Sequence, residues 1–160
     1  DENGQVWNKI NNGVIASRIS ENEALIYLQS NYFNNPEKLY LEVNKIQAID
    51  KSEAFVVVDT EKEQLLRKPS GNQLYDFELR EDYLMFKLQT EEEFNYFLFG
   101  GIRDGNGAEI TPKLTENLAT EGEVELRVNI ADLKKVKGPI SLELSFFPAW
   151  IVGEEKVRIK

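Results

Sequence analysis

The chain has 160 residues, a length that suits one domain with enough core to fold without disulfides or metals. It carries 28 acidic against 19 basic side chains, and the resulting formal charge of −9 argues against binding to nucleic acid or anionic membranes. It has no cysteine and no histidine, which excludes thiol and serine–histidine nucleophiles and the usual zinc sites. We therefore expect no catalytic residues, no cofactor and a non-enzymatic protein.

The apolar runs are short. The longest, the FVVV run of residues 55–58, is typical of one strand and far from the ~20 residues of a membrane span. We expect no direct membrane insertion by this segment. Because the chain begins with Asp1 rather than Met, we expect a processed chain or an excised segment, in which any signal peptide or membrane anchor would lie upstream.

Alternation of apolar and polar residues with a period of two predicts β-strands along most of the chain. The predicted strands are residues 13–19, 24–29, 39–44, 55–58, 75–80, 84–88, 94–102, 123–130, 141–146 and 156–160. In the fifth of these, Tyr75, Phe77 and Leu79 are expected on one face and the charged residues between them on the other. Helix is predicted as a single turn within residues 131–137, stopped by Gly138 and Pro139, and residues 90–94 suit either a helix start or a strand.

Glycine, proline and asparagine clusters separate the predicted strands at intervals typical of a two-sheet sandwich. The fold class predicted from the residues is therefore all-β, an immunoglobulin-like antiparallel β-sandwich with short helical turns at most. A single domain over residues 1–160 is expected. Residues 115–122 are predicted to form a long crossover between the sheets, or alternatively a subdomain boundary.

The loop at residues 103–109 has two interpretations. Asp104, Asn106 and Glu109 place oxygen ligands around glycines, as short acidic loops do when they bind calcium. The spacing lacks that of a helix-loop-helix calcium site, and a glycine-rich hairpin turn accounts for the same residues. We favour the turn.

Aromatic residues make up 11% of the chain and suggest a second kind of site. Exposed rings form flat platforms for sugars, and Trp150, Trp7 and Phe147 are the candidates, because Pro148 interrupts the strand pattern beside Trp150. Packing of these rings in or around the core is the competing interpretation, since sandwich cores also need large side chains.

The last third of the chain carries a resemblance. Residues 138–160 read GPISLELSFFPAWIVGEEKVRIK, with a strand, a proline-broken aromatic bend, Gly153 and a final alternating strand. With the preceding Asp104-Gly105-Asn106-Gly107 turn, this pattern resembles the immunoglobulin-like extracytoplasmic domains of membrane-anchored anti-sigma-factor-like regulators of Gram-positive bacteria. The resemblance implies a sandwich outside the cytoplasm, tethered through an upstream segment. It assigns no functional residues.

Three functions follow from the sequence as hypotheses. The leading one is a non-enzymatic extracytoplasmic sensor or interaction domain that binds a protein or a cell-wall component. The alternative is a carbohydrate-binding module, and the third is a passive spacer or adhesin-type domain.

Overall fold

The computed structural model describes residues 1–7, 14–20, 23–29, 35–90, 94, 96–136 and 138–160. Within them the chain forms twelve β-strands and two 3-10 turns, at Lys51–Glu53 and Leu133–Lys135. The strands are β1 Val14–Ser20, β2 Glu23–Leu28, β3 Tyr40–Gln47, β4 Phe55–Asp59, β5 Gln64–Arg67, β6 Leu74–Arg80, β7 Tyr83–Gln89, β8 Phe99–Arg103, β9 Leu114–Thr120, β10 Glu123–Asn129, β11 Ile140–Leu144 and β12 Trp150–Arg158.

The chain divides into two compact units. Unit 1 comprises residues 1–46 and 152–160, and unit 2 comprises residues 47–151. Both boundaries fall inside strands, in β3 and in β12. The single domain expected over residues 1–160 stays a prediction.

Unit 2 is a β-sandwich of two four-stranded antiparallel sheets. The first sheet has the order β5-β4-β11-β8, and the second has the order β6-β7-β10-β9. Phe86 on β7 contacts Phe99 on β8 with ring centroids 5.3 Å apart, so the inner faces of the two sheets meet. The predicted all-β antiparallel sandwich is confirmed, and helix is limited to short turns as expected.

The core of unit 2 is made of the apolar residues that alternate along these strands. On β10, Val124, Leu126 and Val128 are each at most 1% exposed, while the polar residues between them face away from the core. No polar or charged side chain is buried within the described parts of the chain. The two sheets are therefore held together by apolar burial, which is the main favourable term in folding.

Unit 1 contains two-stranded antiparallel pairs. β1 pairs with β2, and β3 forms a second ribbon with β12. The ammonium of Lys156 lies 5.1 Å from the centre of the Tyr40 ring within this second ribbon. All six residues of β2 are exposed, including Tyr27 at 56%.

The long crossover predicted at residues 115–122 is wrong. These residues form most of β9 and a two-residue turn at Glu121 and Gly122, and β9 pairs with β10 along its whole length. Gly122 adopts a positive φ of 77°, which a tight hairpin turn requires and glycine adopts without strain. The crossover prediction followed from the weak apolar content of LTENLAT, which suits an edge strand.

A β-bulge changes the predicted faces of β6. Tyr75 pairs with Lys87 and Glu78 with Met85. Between these two pairs β6 advances by three residues and β7 by two. Asp76 has a positive φ of 54° at this point. The extra residue turns the Tyr75 side chain away from the core, whereas Phe77 packs against it. The prediction that Tyr75 shares a face with Phe77 is therefore wrong.

Two further strand predictions need correction. The strand expected from residue 94 begins only at Phe99. Phe94 and Leu98 lie before it and bury their side chains in the core instead of pairing in the sheet. The strand β5 was not predicted, since its four residues are too few to show a period of two.

Phe86 lies at the centre of the sandwich and provides a test of the core. It is fully buried and also contacts Phe77, with ring centroids 5.2 Å apart. We expect Phe86→Ala to lower the free energy of unfolding by about 3–5 kcal/mol, because the lost ring leaves a cavity between the sheets. Denaturant unfolding measures the change. As a matched control, Phe97→Ala removes a ring that is 65% exposed and should change stability by no more than about 0.5 kcal/mol. Equal losses in the two variants would contradict this packing.

Candidate functional site

The three aromatic residues predicted as a sugar platform have different environments. Phe147 is 4% exposed and belongs to the core of unit 2, so its ring has no face for a ligand. Trp150, at the start of β12, is 46% exposed, and Trp7 is half-buried in unit 1. Phe147 is thus corrected from a candidate ligand-binding residue to a core residue, because the bend at Pro148 turns it inward.

The loop after β8 is the glycine-containing turn that the sequence favoured. One carboxylate oxygen of Asp104 accepts hydrogen bonds from the backbone amides of Asn106, at 2.9 Å, and Ala108, at 2.8 Å. The chain then turns back, and the backbone of Glu109 forms an isolated antiparallel β-bridge with that of Arg103. The amide of Ala108 is the main cause that lowers the pKa of Asp104 below its ordinary 3.8. In the described residues, no group of three or more acidic side chains is placed to hold a metal ion.

The outer face of the second sheet, which points away from the core, carries the densest set of polar side chains. The strand register places Glu78, Met85 and Arg127 in one row across β6, β7 and β10. The next row along the strands contains Arg80 and Tyr83. Side chains directly opposite one another on neighbouring strands share a face, so these five residues form one surface.

Ion pairs hold the two arginines of this surface. The Nε of Arg127 donates to Glu125 at 2.6 Å, and the Nε and Nη2 of Arg80 lie 2.8 and 2.7 Å from one carboxylate oxygen of Glu78. Each pair joins residues two apart on the same strand, where side chains point the same way. These pairs are partly exposed, so they orient the guanidinium groups more than they stabilise the fold.

A second polar network continues the surface toward the other end of the strands. The ammonium of Lys87 lies 3.2 Å from Asp76 and 3.8 Å from Glu123. The Tyr75 hydroxyl donates to Glu123, and this hydrogen bond raises the pKa of Tyr75. The bond to Asp76 is the main cause that raises the pKa of Lys87. The bulge in β6 brings Tyr75 and Asp76 onto the same surface.

Two cavities open on this outer face. The larger has a volume of about 540 Å³ and is lined by Arg80, Glu81, Tyr83, Met85 and Arg127. The smaller, of about 180 Å³, shares Arg80 and Met85 with it and reaches toward Lys87. The larger volume lies within the range of roughly 300–1,000 Å³ typical of small-molecule sites.

A separate group of aromatic rings lies where the chain enters β8. We call Phe94, Tyr96 and Phe146 the aromatic cluster. The rings of Tyr96 and Phe146 stack with centroids 4.8 Å apart, and Phe94 meets the edge of Tyr96 at 6.0 Å. Phe94 is buried, whereas Tyr96 and Phe146 are 36% and 42% exposed. The cluster therefore runs from the core to the surface.

The backbone around the aromatic cluster is fixed by hydrogen bonds. The amide of Ser145 donates to the carbonyl of Leu98 at 2.8 Å, and the side-chain amide of Asn117 donates to the carbonyl of Tyr96 at 2.7 Å. Gly100 permits the close approach, because a Cβ at this position would collide with the Ser145 hydroxyl. The stacked rings are thus presented by two anchored segments.

Sequence reasoning missed both the cavity and the aromatic cluster. Arg80 and Arg127 occupy outward-facing polar positions of predicted strands and Tyr83 precedes one, and nothing in their spacing shows that three strands bring them together. Tyr96 and Phe146 lie fifty residues apart in the sequence. The only available signal was the density of aromatic letters in residues 94–99 and 146–150.

Comparisons with known proteins add no assignment. No protein-family model, curated protein or solved structure matches this chain. The resemblance to the extracytoplasmic domains of anti-sigma-factor-like regulators therefore stays a prediction. A search of the described residues for a helix long and apolar enough to cross a membrane finds none.

The carboxylate of Asp104 gives a test of the loop. Because its pKa is lowered in the folded protein, ionised Asp104 stabilises the fold above pH 3.8, and this contribution is lost as the pH falls through the lower folded-state value. We expect Asp104→Asn to reduce the thermal unfolding midpoint at neutral pH. The difference from the natural chain should narrow below pH 3.8. Thermal melts across the acidic range measure it.

Glu109→Gln is the matched control for this experiment. The Glu109 carboxylate makes no hydrogen bond or ion pair with any described residue, so its variant should melt like the natural chain at each pH. The turn-capping role would be contradicted if the unfolding midpoints of Asp104→Asn and the natural chain differed by the same amount at every pH. Repeating the melts with millimolar calcium tests the metal prediction, since a bound ion raises the midpoint.

Proposed function

We propose that the protein is a non-enzymatic interaction domain that acts outside the cytoplasm and binds a protein partner through the aromatic cluster. The observation that carries the proposal is the stacked, partly exposed pair of Tyr96 and Phe146, seated on the buried ring of Phe94. Exposed apolar surface with aromatic anchors is typical of the centre of protein–protein interfaces.

Rigidity supports a role in binding. The hydrogen bonds at the Leu98 and Tyr96 carbonyls hold both segments before any partner arrives. Less backbone entropy is then lost on association, which favours affinity. The formal charge of −9 favours a partner with a basic surface, because such a surface is attracted to this chain at long range.

The aspartates of the turns are poorly suited to general acid–base catalysis. A general acid or base works best with a pKa near the operating pH, which for a carboxyl group means an upward shift. The pKa values of Asp50, Asp59 and Asp104 are instead lowered, because each carboxylate accepts hydrogen bonds within a turn. The absence of histidine and cysteine from the sequence points the same way.

The location outside the cytoplasm rests on the resemblance of residues 138–160, since a chain without cysteine suits either side of a membrane. A role as sensor follows if an upstream segment anchors the domain in the membrane. Carbohydrate binding through Trp150 and Trp7 and a passive spacer role are the competing functions. The residues upstream of Asp1 separate them, since tandem copies favour a spacer.

Photo-crosslinking tests the partner site. We expect a benzophenone amino acid in place of Phe146 to form an adduct with one envelope protein of the native host after irradiation. Leu66 is the matched control position, because it is 50% exposed and lies on β5, at the opposite edge of the first sheet from β8. Excess natural chain should abolish the adduct. Excess Tyr96→Ala/Phe146→Ala double variant should not, and high salt should weaken the adduct if the partner is basic.

Two results would overturn the proposal. The first is the same adduct from both positions, or equal competition by the double variant, which would remove the aromatic cluster from the interface. The second is turnover of any substrate by the purified chain above the uncatalysed rate. Near-UV circular dichroism and thermal melts of the double variant establish that it is folded.

A further inference from the structure

The larger cavity on the outer face of the second sheet is a second, separate candidate for binding. It contains two guanidinium groups, Arg80 and Arg127, that come from strands on either side of β7. Its floor is Met85, which is only 9% exposed although it points away from the core. A nearly covered apolar side chain among polar neighbours is typical of the base of a ligand site.

The two guanidinium groups of this cavity are held by ion pairs and still have unused hydrogen-bond donors. Arg127 uses its Nε for Glu125, and its Nη groups make no hydrogen bond within the described residues. Arg80 uses Nε and Nη2 for Glu78 and retains Nη1. The ion pairs thus fix each guanidinium while leaving donors for a ligand, which reduces the entropy lost on binding.

The balance of charge decides the class of ligand. Arg80 and Arg127, with Lys87 in the adjoining cavity, face four carboxylates, those of Asp76, Glu78, Glu81 and Glu125. An anion would compete with these carboxylates and would also meet a chain of formal charge −9. A cation would lie against the two guanidinium groups. A neutral ligand with both hydroxyl donors and acceptors avoids both penalties.

We infer that this cavity binds a neutral saccharide. The free Nη groups of Arg127 and Arg80 donate to sugar hydroxyl oxygens, and the Glu81 carboxylate accepts from sugar hydroxyls. Tyr83 and Met85 contact the apolar C–H face of the sugar ring. The 540 Å³ volume accommodates one or two sugar rings, and the adjoining smaller cavity allows a longer chain. This site is independent of the aromatic cluster and of Trp150 and Trp7.

The single methionine of the chain makes a direct test possible. Because Met85 is the only methionine, ¹³C-methyl labelling gives one resonance, which reports the floor of the cavity. We expect this resonance to shift during titration with one series among neutral gluco-, manno-, xylo- and chito-oligosaccharides. The dissociation constant should change little between low and high salt, because the ligand carries no charge.

Variants separate the cavity from the rest of the surface. Arg127→Gln and Tyr83→Ala should each weaken the binding about tenfold, the effect of losing roughly one good contact. Arg103→Gln, an exposed arginine on the first sheet, is the matched control and should leave the dissociation constant unchanged. The Tyr96→Ala/Phe146→Ala double variant should also bind the saccharide normally, so this inference can fail while the proposed function stands.

Three outcomes would overturn the inference. One is a Met85 resonance that does not move with any neutral oligosaccharide at millimolar concentration. Another is binding that Arg127→Gln and Tyr83→Ala leave undiminished. The third is a preference for oligogalacturonate that weakens with salt, which would identify an anion site instead. The titration of the natural chain decides the first and third without any variant.

Discussion

Burial of apolar side chains between two four-stranded sheets is the constraint on which the rest of unit 2 depends. Val124, Leu126 and Val128 on β10 and Phe86 on β7 are almost completely covered, and the described core contains no polar side chain. Such a core gains its stability from area removed from water and from close packing. The alternate residues on the same strands point away from the core and form the surface.

The same alternation produces the outer face of the second sheet, whereas the aromatic cluster comes from the segments that close the core beside β8 and β11. On the second sheet the alternation directs Glu78, Arg80, Met85 and Arg127 outward, where three strands assemble a surface that no single strand contains. At the edge of the sandwich, Phe94 and Leu98 turn inward to close the core. The residues between and beside them, including Tyr96, are left at the surface as a consequence. On the second sheet, outer surface and core are thus two results of one pattern.

The fold class was predictable from the sequence because alternation is a local property. Strands such as β10 and β11 show it over their whole length, and the structure places them as expected. β9 was missed because LTENLAT is an edge strand, whose residues are half-buried or exposed and need not alternate clearly. The faces of β6 were misassigned because Asp76 inserts one residue, and a period of two carries no sign of where it will be interrupted.

The candidate sites were less predictable for a physical reason. Phe147 was a candidate for the sugar platform, with core packing as the other interpretation, and it lies in the core, since the direction of the bend at Pro148 depends on packing against both sheets. Tyr96 and Phe146 meet only after β8 pairs with β11, and Arg80 meets Arg127 only across β7. These contacts depend on the register between strands that are far apart in the sequence. Composition and local spacing do not predict that register.

The bulge at Asp76 has one more consequence, for solubility. β6 is the outermost strand of its sheet, so its free amides and carbonyls would form a regular template for another chain. The inserted residue breaks that regular spacing and increases the local twist, which hinders a foreign strand from docking in register. The charged side chains that it brings outward have the same effect. The β6 edge of the sheet is thereby a poor template for pairing with another chain.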